Sequence, residues 1–164
     1  MSREILFRGK RTDNGEWVEG YFVKTKLGKD TSPSDVVFVP WKENRNEEWG
    51  WIKVDPDTLC QYTGLTDKNG KKIWEGDILQ GHGNMKDLSK VVFGEIDVIE
   101  VESLEKIDTV IGWYYKPLET DALSKYEPFC LPMPLTYEYI NRCKFEVIGN
   151  ISDNPELLTT NEGA

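Results

Sequence analysis

Two carboxylates and the only histidine are the residues of this chain best suited to acid–base chemistry. Glu75 and Asp77 flank a glycine, and two carboxylates in different environments can divide the roles of general acid and general base. Yet a Gly-Asp pair before an apolar strand is also ordinary turn chemistry, in which the aspartate accepts hydrogen bonds from nearby backbone N–H groups. His82 lies in a polar Gly81–Asn84 loop without ligand-type neighbours at a metal-binding spacing. We therefore predict a structural role for Asp77 and a surface position for His82.

The three cysteines, Cys60, Cys130 and Cys143, are odd in number and widely spaced. They provide neither a disulfide framework nor a Cys-x-x-Cys metal clip. Cys143 could meet His82 in space and act as a nucleophile, but an apolar strand context favours a buried, inert thiol. The chain also lacks a Gly-x-Ser-x-Gly elbow, a P-loop and a dinucleotide fingerprint. We predict no catalytic site, no metal and no cofactor; the alternative is an enzyme whose site assembles from Asp77, His82 and distant carboxylates.

The N-terminal segment combines basic and aromatic side chains, a mixture that can track a nucleic-acid strand and stack its bases. These side chains are Arg3, Phe7, Arg8, Lys10, Arg11, Trp17, Tyr21 and Phe22. The simpler interpretation is a hairpin with one packed aromatic face and solvated charges. Arg8, Lys10 and Arg11 remain candidates for contact with a partner.

Three tryptophans bracket a polar segment. Trp41, Trp49 and Trp51 would mark an interface if they are exposed on a loop, since tryptophan is enriched at binding hot spots. Alternatively they pack across a second hairpin, with residues 36–41 opposite residues 50–54. Both interpretations stay open at this stage.

The charge is distributed unevenly along the chain. The formal net charge is −9; residues 1–80 hold 13 Lys/Arg and 14 Asp/Glu, and residues 81–164 hold 7 and 15. An acidic second half is poorly suited to grip phosphates or an anionic membrane. Its cluster of Glu95, Asp97, Glu100, Glu102, Glu105 and Asp108 could imitate a nucleic acid, although a solvated strand face that aids solubility explains it more simply.

Short alternating runs separated by turn residues predict a mainly β protein with little helix. An N-terminal hairpin is expected around Asp13-Asn14-Gly15, because Asn-Gly readily adopts positive φ. Further strands are predicted at residues 36–39, 51–54, 58–62, 71–74, 78–80, 91–101, 109–115 and 143–151. Helical turns are expected only at residues 119–126 and 154–158.

Three blocks of sequence resemble the YopX family of phage and prophage proteins. They are the opening Ile-Leu-Phe-Arg-Gly-Lys-Arg with Gly-Glu-Trp-Val-Glu-Gly, the run Thr-Leu-Cys-Gln-Tyr-Thr-Gly-Leu-Thr-Asp-Lys-Asn-Gly-Lys-Lys-Ile-Trp-Glu-Gly-Asp-Ile at residues 58–78, and the ending Phe-Glu-Val-Ile-Gly-Asn-Ile-Ser-Asp-Asn-Pro-Glu-Leu-Leu at residues 145–158. Their order along the chain makes the resemblance specific. It implies a C-terminal SH3-type barrel-like domain and phage or prophage origin, and it implies no catalytic residue.

These observations lead to one prediction of organisation and function. We expect an N-terminal hairpin extension at residues 1–55, an SH3-type β-barrel domain at residues 56–158 and a flexible tail at residues 159–164. The expected function is a non-enzymatic protein-binding or assembly module, with other proteins or copies of itself as partners. The alternative is a nucleic-acid-binding accessory protein that uses the basic hairpin. No apolar run approaches the ~20 residues of a membrane span, and no signal peptide precedes the first strand, so a cytoplasmic location without membrane contact is expected.

Overall fold

The computed structural model describes residues 4–40, 49–100, 102–103, 105–118 and 131–158. Within these ranges the chain is built mainly from antiparallel β-strands. It divides into two compact units, unit 1 at Met1–Gly64 and unit 2 at Leu65–Ala164. Trp41, the helical turns predicted at residues 119–126 and the tail predicted at residues 159–164 lie outside the described residues.

Unit 1 is an antiparallel sheet. Its strands are β1 (Phe7–Lys10), β2 (Trp17–Thr25), β3 (Ser34–Val39), β4 (Gly50–Lys53) and the first part of β5 (Cys60–Thr66). They lie side by side in the order β4-β3-β2-β1-β5. A short 3-10 helix, Pro56–Thr58, connects β4 to β5.

The first hairpin of unit 1 confirms the N-terminal strand pair predicted from the sequence, and the second hairpin forms the pairing of residues 36–41 with residues 50–54 that the sequence left as one of two interpretations. In the first, Lys10 lies opposite Trp17, and Gly15 supplies the positive φ of +74° that the turn requires. The Gly15 N–H donates to the carbonyl oxygen of Arg11 at 3.0 Å and closes the turn. In the second hairpin β3 pairs with β4, with Phe38 opposite Trp51.

The sheet of unit 1 is strongly curled. A β-bridge joins Arg11 to Val54, so the chain leaving β4 returns to the end of β1. Gly20 of β2 allows the backbone of β3 to approach closely, because a Cβ at this position would lie 2.1 Å from the carbonyl oxygen of Phe38. The buried apolar residues of the unit are Leu6, Val36, Val37, Val54, Cys60 and Tyr62.

Unit 2 has a second antiparallel sheet and one helix in its described residues. Its elements are β6 (Lys72–Trp74), β7 (Asp77–Gln80), β8 (Leu88–Ile99), β9 (Lys106–Pro117), β10 (Met133–Pro134), α1 (Tyr137–Cys143) and β11 (Glu146–Asn150). The sheet order is β10-β9-β8-β7-β11. The hydrophobic core of the unit consists of Ile73, Leu79, Val91, Tyr115, Leu135, Ile140, Phe145 and Val147.

Buried aspartates shape two turns of unit 2. Asp77 is 1% exposed, and its Oδ2 accepts a hydrogen bond from the Trp74 backbone N–H at 2.8 Å. The predicted structural role of Asp77 is therefore confirmed. Asp67 accepts hydrogen bonds from the backbone N–H groups of Asn69 and Lys71 with one oxygen and from that of Val147 with the other.

The mainly β class is confirmed, but the closed SH3-type barrel expected within residues 56–158 is not formed by the described residues. The sheet of unit 2 is open, with β10 and β11 at its two ends. Strands β8 and β9 have 12 residues each and extend well past their short neighbours. Among the described residues the outer parts of these two strands pair only with each other, so they form a hairpin arm.

Strand β5 begins in unit 1, where its Cys60 and Gln61 pair with Arg8 and Phe7 of β1, and it ends in unit 2. The short helix α1 was not predicted. It begins where the Thr136 side chain accepts a hydrogen bond from the Tyr139 N–H, a typical N-cap arrangement. The predicted final helical turn is present as a 3-10 helix, Pro155–Leu158.

Candidate functional site

Three aromatic side chains form a row across unit 1. Tyr21 of β2 lies directly opposite Phe38 of β3, and Phe38 lies opposite Trp51 of β4. Residues directly opposite each other in antiparallel strands project from the same face of the sheet. The rings of Phe38 and Trp51 have centroids 4.8 Å apart. Tyr21 and Trp51 are 48% and 54% exposed, so this aromatic row presents a large apolar surface.

Trp17 of β2 lies on the same face of the sheet, opposite Lys10 of β1. It precedes Tyr21 by four residues in β2, and side chains of a strand return to one face at every second residue. The Arg8 guanidinium carbon lies 4.6 Å from the centre of the Trp17 ring and the Lys10 Nζ lies 5.6 Å from it. The Arg8 Nε also donates to the Cys60 Sγ at 3.2 Å. Both cations are thus held against an aromatic ring.

A groove of about 530 Å³ opens beside Trp51. Trp49, which is 65% exposed, stands on its rim just before β4. The groove is lined by Arg11, Thr12, Asp13, Trp49, Trp51, Ile52 and Lys53. Its position follows from the curl of the sheet, since the Thr12 N–H donates to the Lys53 carbonyl oxygen at 3.2 Å.

The charged groups of the groove are ion-paired. Arg11 donates from Nε and Nη2 to the two carboxylate oxygens of Asp13, at 2.8 and 2.5 Å. This bidentate hydrogen bond lowers the pKa of Asp13, and a carboxylate with a lowered pKa is a weak general base. The Lys53 Nζ lies 2.6 Å from an oxygen of Asp30. The groove therefore offers indole surfaces with a paired polar rim, which suits binding better than bond-making.

The structure places five of the six predicted partner-binding residues in unit 1, and Trp41 lies outside the described residues. It brings Arg11, Trp49 and Trp51 to the groove and sets Arg8 and Lys10 against Trp17. Sequence reasoning missed Phe38 and Lys53. The signal for Phe38 was its place in the apolar strand 36–39, which one of the two interpretations paired with residues 50–54.

The alternative site around the histidine is partly assembled. The His82 Nδ1 and the Asp87 Oδ2 are 2.7 Å apart, and both side chains are exposed, as predicted for His82. The His82 backbone N–H donates to the Cys143 carbonyl oxygen at 2.7 Å, so the backbones of these two residues are in contact. However, burial raises the pKa of the Cys143 thiol, and the negative charge of Asp87 raises it further. A catalytic cysteine needs the opposite shift, toward thiolate.

The described ranges contain no group of three or more His, Cys, Asp or Glu side chains that could hold a metal ion. None of their helices combines the length and the apolar character needed to cross a membrane.

Comparison with known proteins identifies the family. The family model described as YopX protein matches residues 6–159. The chain belongs to the YopX family. A crystal structure of protein EF1440 from Enterococcus faecalis is similar to this YopX chain, with 24% sequence identity and a TM-score of 0.45; the match covers 96% of this chain and 100% of the other. No match was found among curated proteins.

Proposed function

We propose that this YopX-family chain is a non-enzymatic protein-binding or assembly module that docks its partner on the aromatic row and groove of unit 1. One observation carries the proposal. The indoles of Trp49 and Trp51 line a single groove while they are 65% and 54% exposed. The resemblance to phage and prophage proteins supports a phage or prophage origin and action in the cytoplasm of a bacterial host.

The energetics of tryptophan favour a protein partner. Burying an exposed indole removes a large apolar area from water, and tryptophans of this kind dominate binding hot spots with losses of 2 kcal/mol or more, roughly 30-fold in affinity, on truncation. The rim of the groove carries the Arg11–Asp13 and Lys53–Asp30 pairs. Such a rim can form hydrogen bonds with a protein chain without the free-energy cost of desolvating an unpaired charge.

A nucleic-acid partner is the second candidate, because cations and aromatic rings share the face of unit 1. Arg8 and Lys10 lie against Trp17, and Tyr21 follows on the same strand. A nucleic-acid strand would stack its bases on these rings and place its phosphates beside these cations. The near balance of 13 basic and 14 acidic residues in the first 80 weakens this candidate, since phosphate binding depends on an excess of positive charge.

Site-specific photo-crosslinking tests the leading proposal. A photoreactive amino acid placed at Trp49 in the full chain is expected to crosslink to a defined protein in bacterial cells that express it. The matched control carries the same group at Tyr137, which is similarly exposed at 53% but lies on α1 of unit 2. Crosslinks at both positions in equal yield, or at neither, would contradict the proposal.

Binding in solution then separates the two candidates. Trp49→Ala should lower the affinity of the chain for the crosslinked partner roughly 30-fold, whereas Tyr137→Ala should leave that affinity unchanged. A gel-shift series with single-stranded DNA at low and moderate salt tests the second candidate. Salt-sensitive binding that is lost in Lys10→Gln would favour nucleic acid and would count against the protein-binding proposal.

A further inference from the structure

The outer part of the β8–β9 hairpin extends beyond the sheet of unit 2. Strand β7 pairs with β8 only at Leu88–Lys90, and β10 pairs with β9 only at Tyr114 and Tyr115. We call residues 92–99 and 106–112 the arm. In the described part of the chain no other strand pairs with the outer edge of either half of the arm. Unpaired strand edges of this kind are templates for another strand.

The arm carries an exposed apolar stripe, which we define as Phe93, Ile107 and Ile111. Phe93 is 51%, Ile107 65% and Ile111 70% exposed. Phe93 lies opposite Trp113, two residues from Ile111 on β9, which places Phe93 and Ile111 on one face together with Glu95, the residue opposite Ile111. Ile107 lies farther out, at the register shift between Val98 and Ile99. Single exposed apolar residues are normal on a protein surface, but three along one arm mark an interaction site.

The stripe continues outward from the core of unit 2. Val91 and Tyr115, which lie opposite each other and next to Phe93 and Trp113 along the strands, belong to the core cluster. The rings of Phe93 and Trp113 pack with centroids 4.9 Å apart. The core surface therefore continues as far as the Phe93–Trp113 pair, and the next pair along the same face combines Ile111 with Glu95.

The charge of the arm and its tip indicates which partner fits the stripe. The acidic residues of this region are Glu95, Asp97, Glu100, Glu102, Glu105 and Asp108. Lys106 is the one basic residue described between Phe93 and Ile111, and its Nζ lies 2.7 Å from Asp97. A second copy of the arm would bring the same negative charge and be repelled, whereas a basic partner would be attracted.

We propose that the arm binds a basic, strand-forming segment of another protein. The segment adds to the outer edge of β9, with backbone hydrogen bonds providing part of the affinity. One of its apolar side chains lies on Ile111, and its lysines or arginines project from the other face, on which Asp108 lies. This surface belongs to unit 2, so the inference holds or fails independently of the docking face proposed in unit 1.

A designed peptide probe tests the inference on the full chain. The probe is a fluorescein-labelled peptide of alternating valine and lysine, measured by fluorescence anisotropy at low and moderate salt. Binding is expected to weaken as salt increases. A valine–glutamate peptide of equal length should not bind, and a serine–lysine peptide should bind at least about tenfold more weakly because it lacks apolar contacts.

Variants locate the binding surface. Ile111→Thr is expected to weaken the valine–lysine peptide about fivefold to tenfold, and Ile107→Thr provides a second variant if the first fails to fold. Tyr137→Ser is the matched control, since it alters an exposed apolar residue outside the arm. Trp49→Ala should have no effect on this peptide, which separates the arm from the face in unit 1.

Three outcomes would overturn the inference. Equal binding of the serine–lysine and valine–lysine peptides would show that charge alone is responsible. Undiminished binding of a valine–lysine peptide N-methylated at alternate positions would exclude strand addition, because such a peptide cannot donate to β9. If sedimentation velocity shows a dimer that Ile111→Thr dissociates, the stripe binds a second copy of the chain.

Discussion

The Asp67 Oδ2 accepts a hydrogen bond from the Val147 backbone N–H at 3.0 Å, across 80 residues of sequence. The other oxygen of the same carboxylate holds the turn between β5 and β6. Asp67 lies in the 58–78 block and Val147 in the 145–158 block, two of the three blocks by which the chain resembles the YopX family. A single buried side chain therefore connects them, and a charged acceptor of backbone N–H groups is among the stronger hydrogen-bonding partners.

Removing this carboxylate should destabilise unit 2. Asp67→Ala leaves buried N–H groups without acceptors, and we expect it to cost about 3 kcal/mol in the free energy of unfolding. Asp67→Asn keeps one acceptor oxygen and should cost about half as much. Urea unfolding measures the loss, and faster hydrogen exchange of the Val147 amide localises it. Asp57→Ala, at an exposed position in unit 1, serves as the control; an equal loss there would contradict the assigned role.

Gly20 should tolerate no side chain. In Gly20→Ala the new Cβ would lie 2.1 Å from the Phe38 carbonyl oxygen, a backbone atom that cannot move aside. We expect a loss of about 3 kcal/mol and a disturbed aromatic row, visible as a change in tryptophan fluorescence. Gly112→Ala is the matched strand control, since nothing lies within 4 Å of its Cβ position. A Gly20→Ala protein with unchanged urea midpoint would disprove the close approach.

The two carboxylates around Gly76 should differ in their effect on stability. Asp77→Ala removes the acceptor of the buried Trp74 N–H, so we expect a cost of about 2 kcal/mol. Glu75→Ala should cost less, under about 1 kcal/mol, because Glu75 is only partly buried. Thermal unfolding compares the two variants. Equal losses of stability in the two variants would instead favour the interpretation of Glu75 and Asp77 as a functional carboxylate pair.

The thiol of Cys143 should react slowly at neutral pH. Burial, and then the Asp87 charge, raise its pKa above the ordinary value of 9.0, so the reactive thiolate is scarce. Asp87→Asn removes a negative charge, which should lower that pKa and speed alkylation by iodoacetamide at pH 8. Mass spectrometry of the modified peptide follows the rate across pH. Arg142→Gln should act in the opposite direction, because the arginine charge favours the thiolate. A rate profile with its midpoint below pH 9 would contradict the structure.

Much of unit 1 could be predicted from the sequence because its determinants are local. Asn14-Gly15 specifies the first turn, and the two-residue alternation of apolar and polar side chains predicts the strands on either side of it. The pairing of β3 with β4 was one of two interpretations of two short apolar runs separated by a polar segment. The exposure of Trp49 and Trp51 did not follow, since alternation fixes which face a side chain occupies and leaves open whether that face is covered.

Unit 2 departed further from expectation because its features depend on distant parts of the chain. The arm forms because β8 and β9 extend beyond the ends of β7 and β10, the strands that pair with them. The length of the arm therefore depends on the lengths of four separate strands. The Cys143–His82 contact joins a helix end to a loop. The missed helix α1 has only seven residues, and a helix this short depends on tertiary packing of its buried Ile140.

The amino-acid sequence alone determined the mainly β class, the hairpin turns, the family resemblance and the residues available for binding. These depend on backbone preferences and two-residue alternation, which act over a few positions. Only the tertiary structure decided that the Trp49 and Trp51 indoles share an open groove, that Arg8 and Lys10 stack on Trp17, and that an apolar stripe extends beyond the sheet. Each of these depends on which surfaces the rest of the chain covers, and burial is a property of the whole fold.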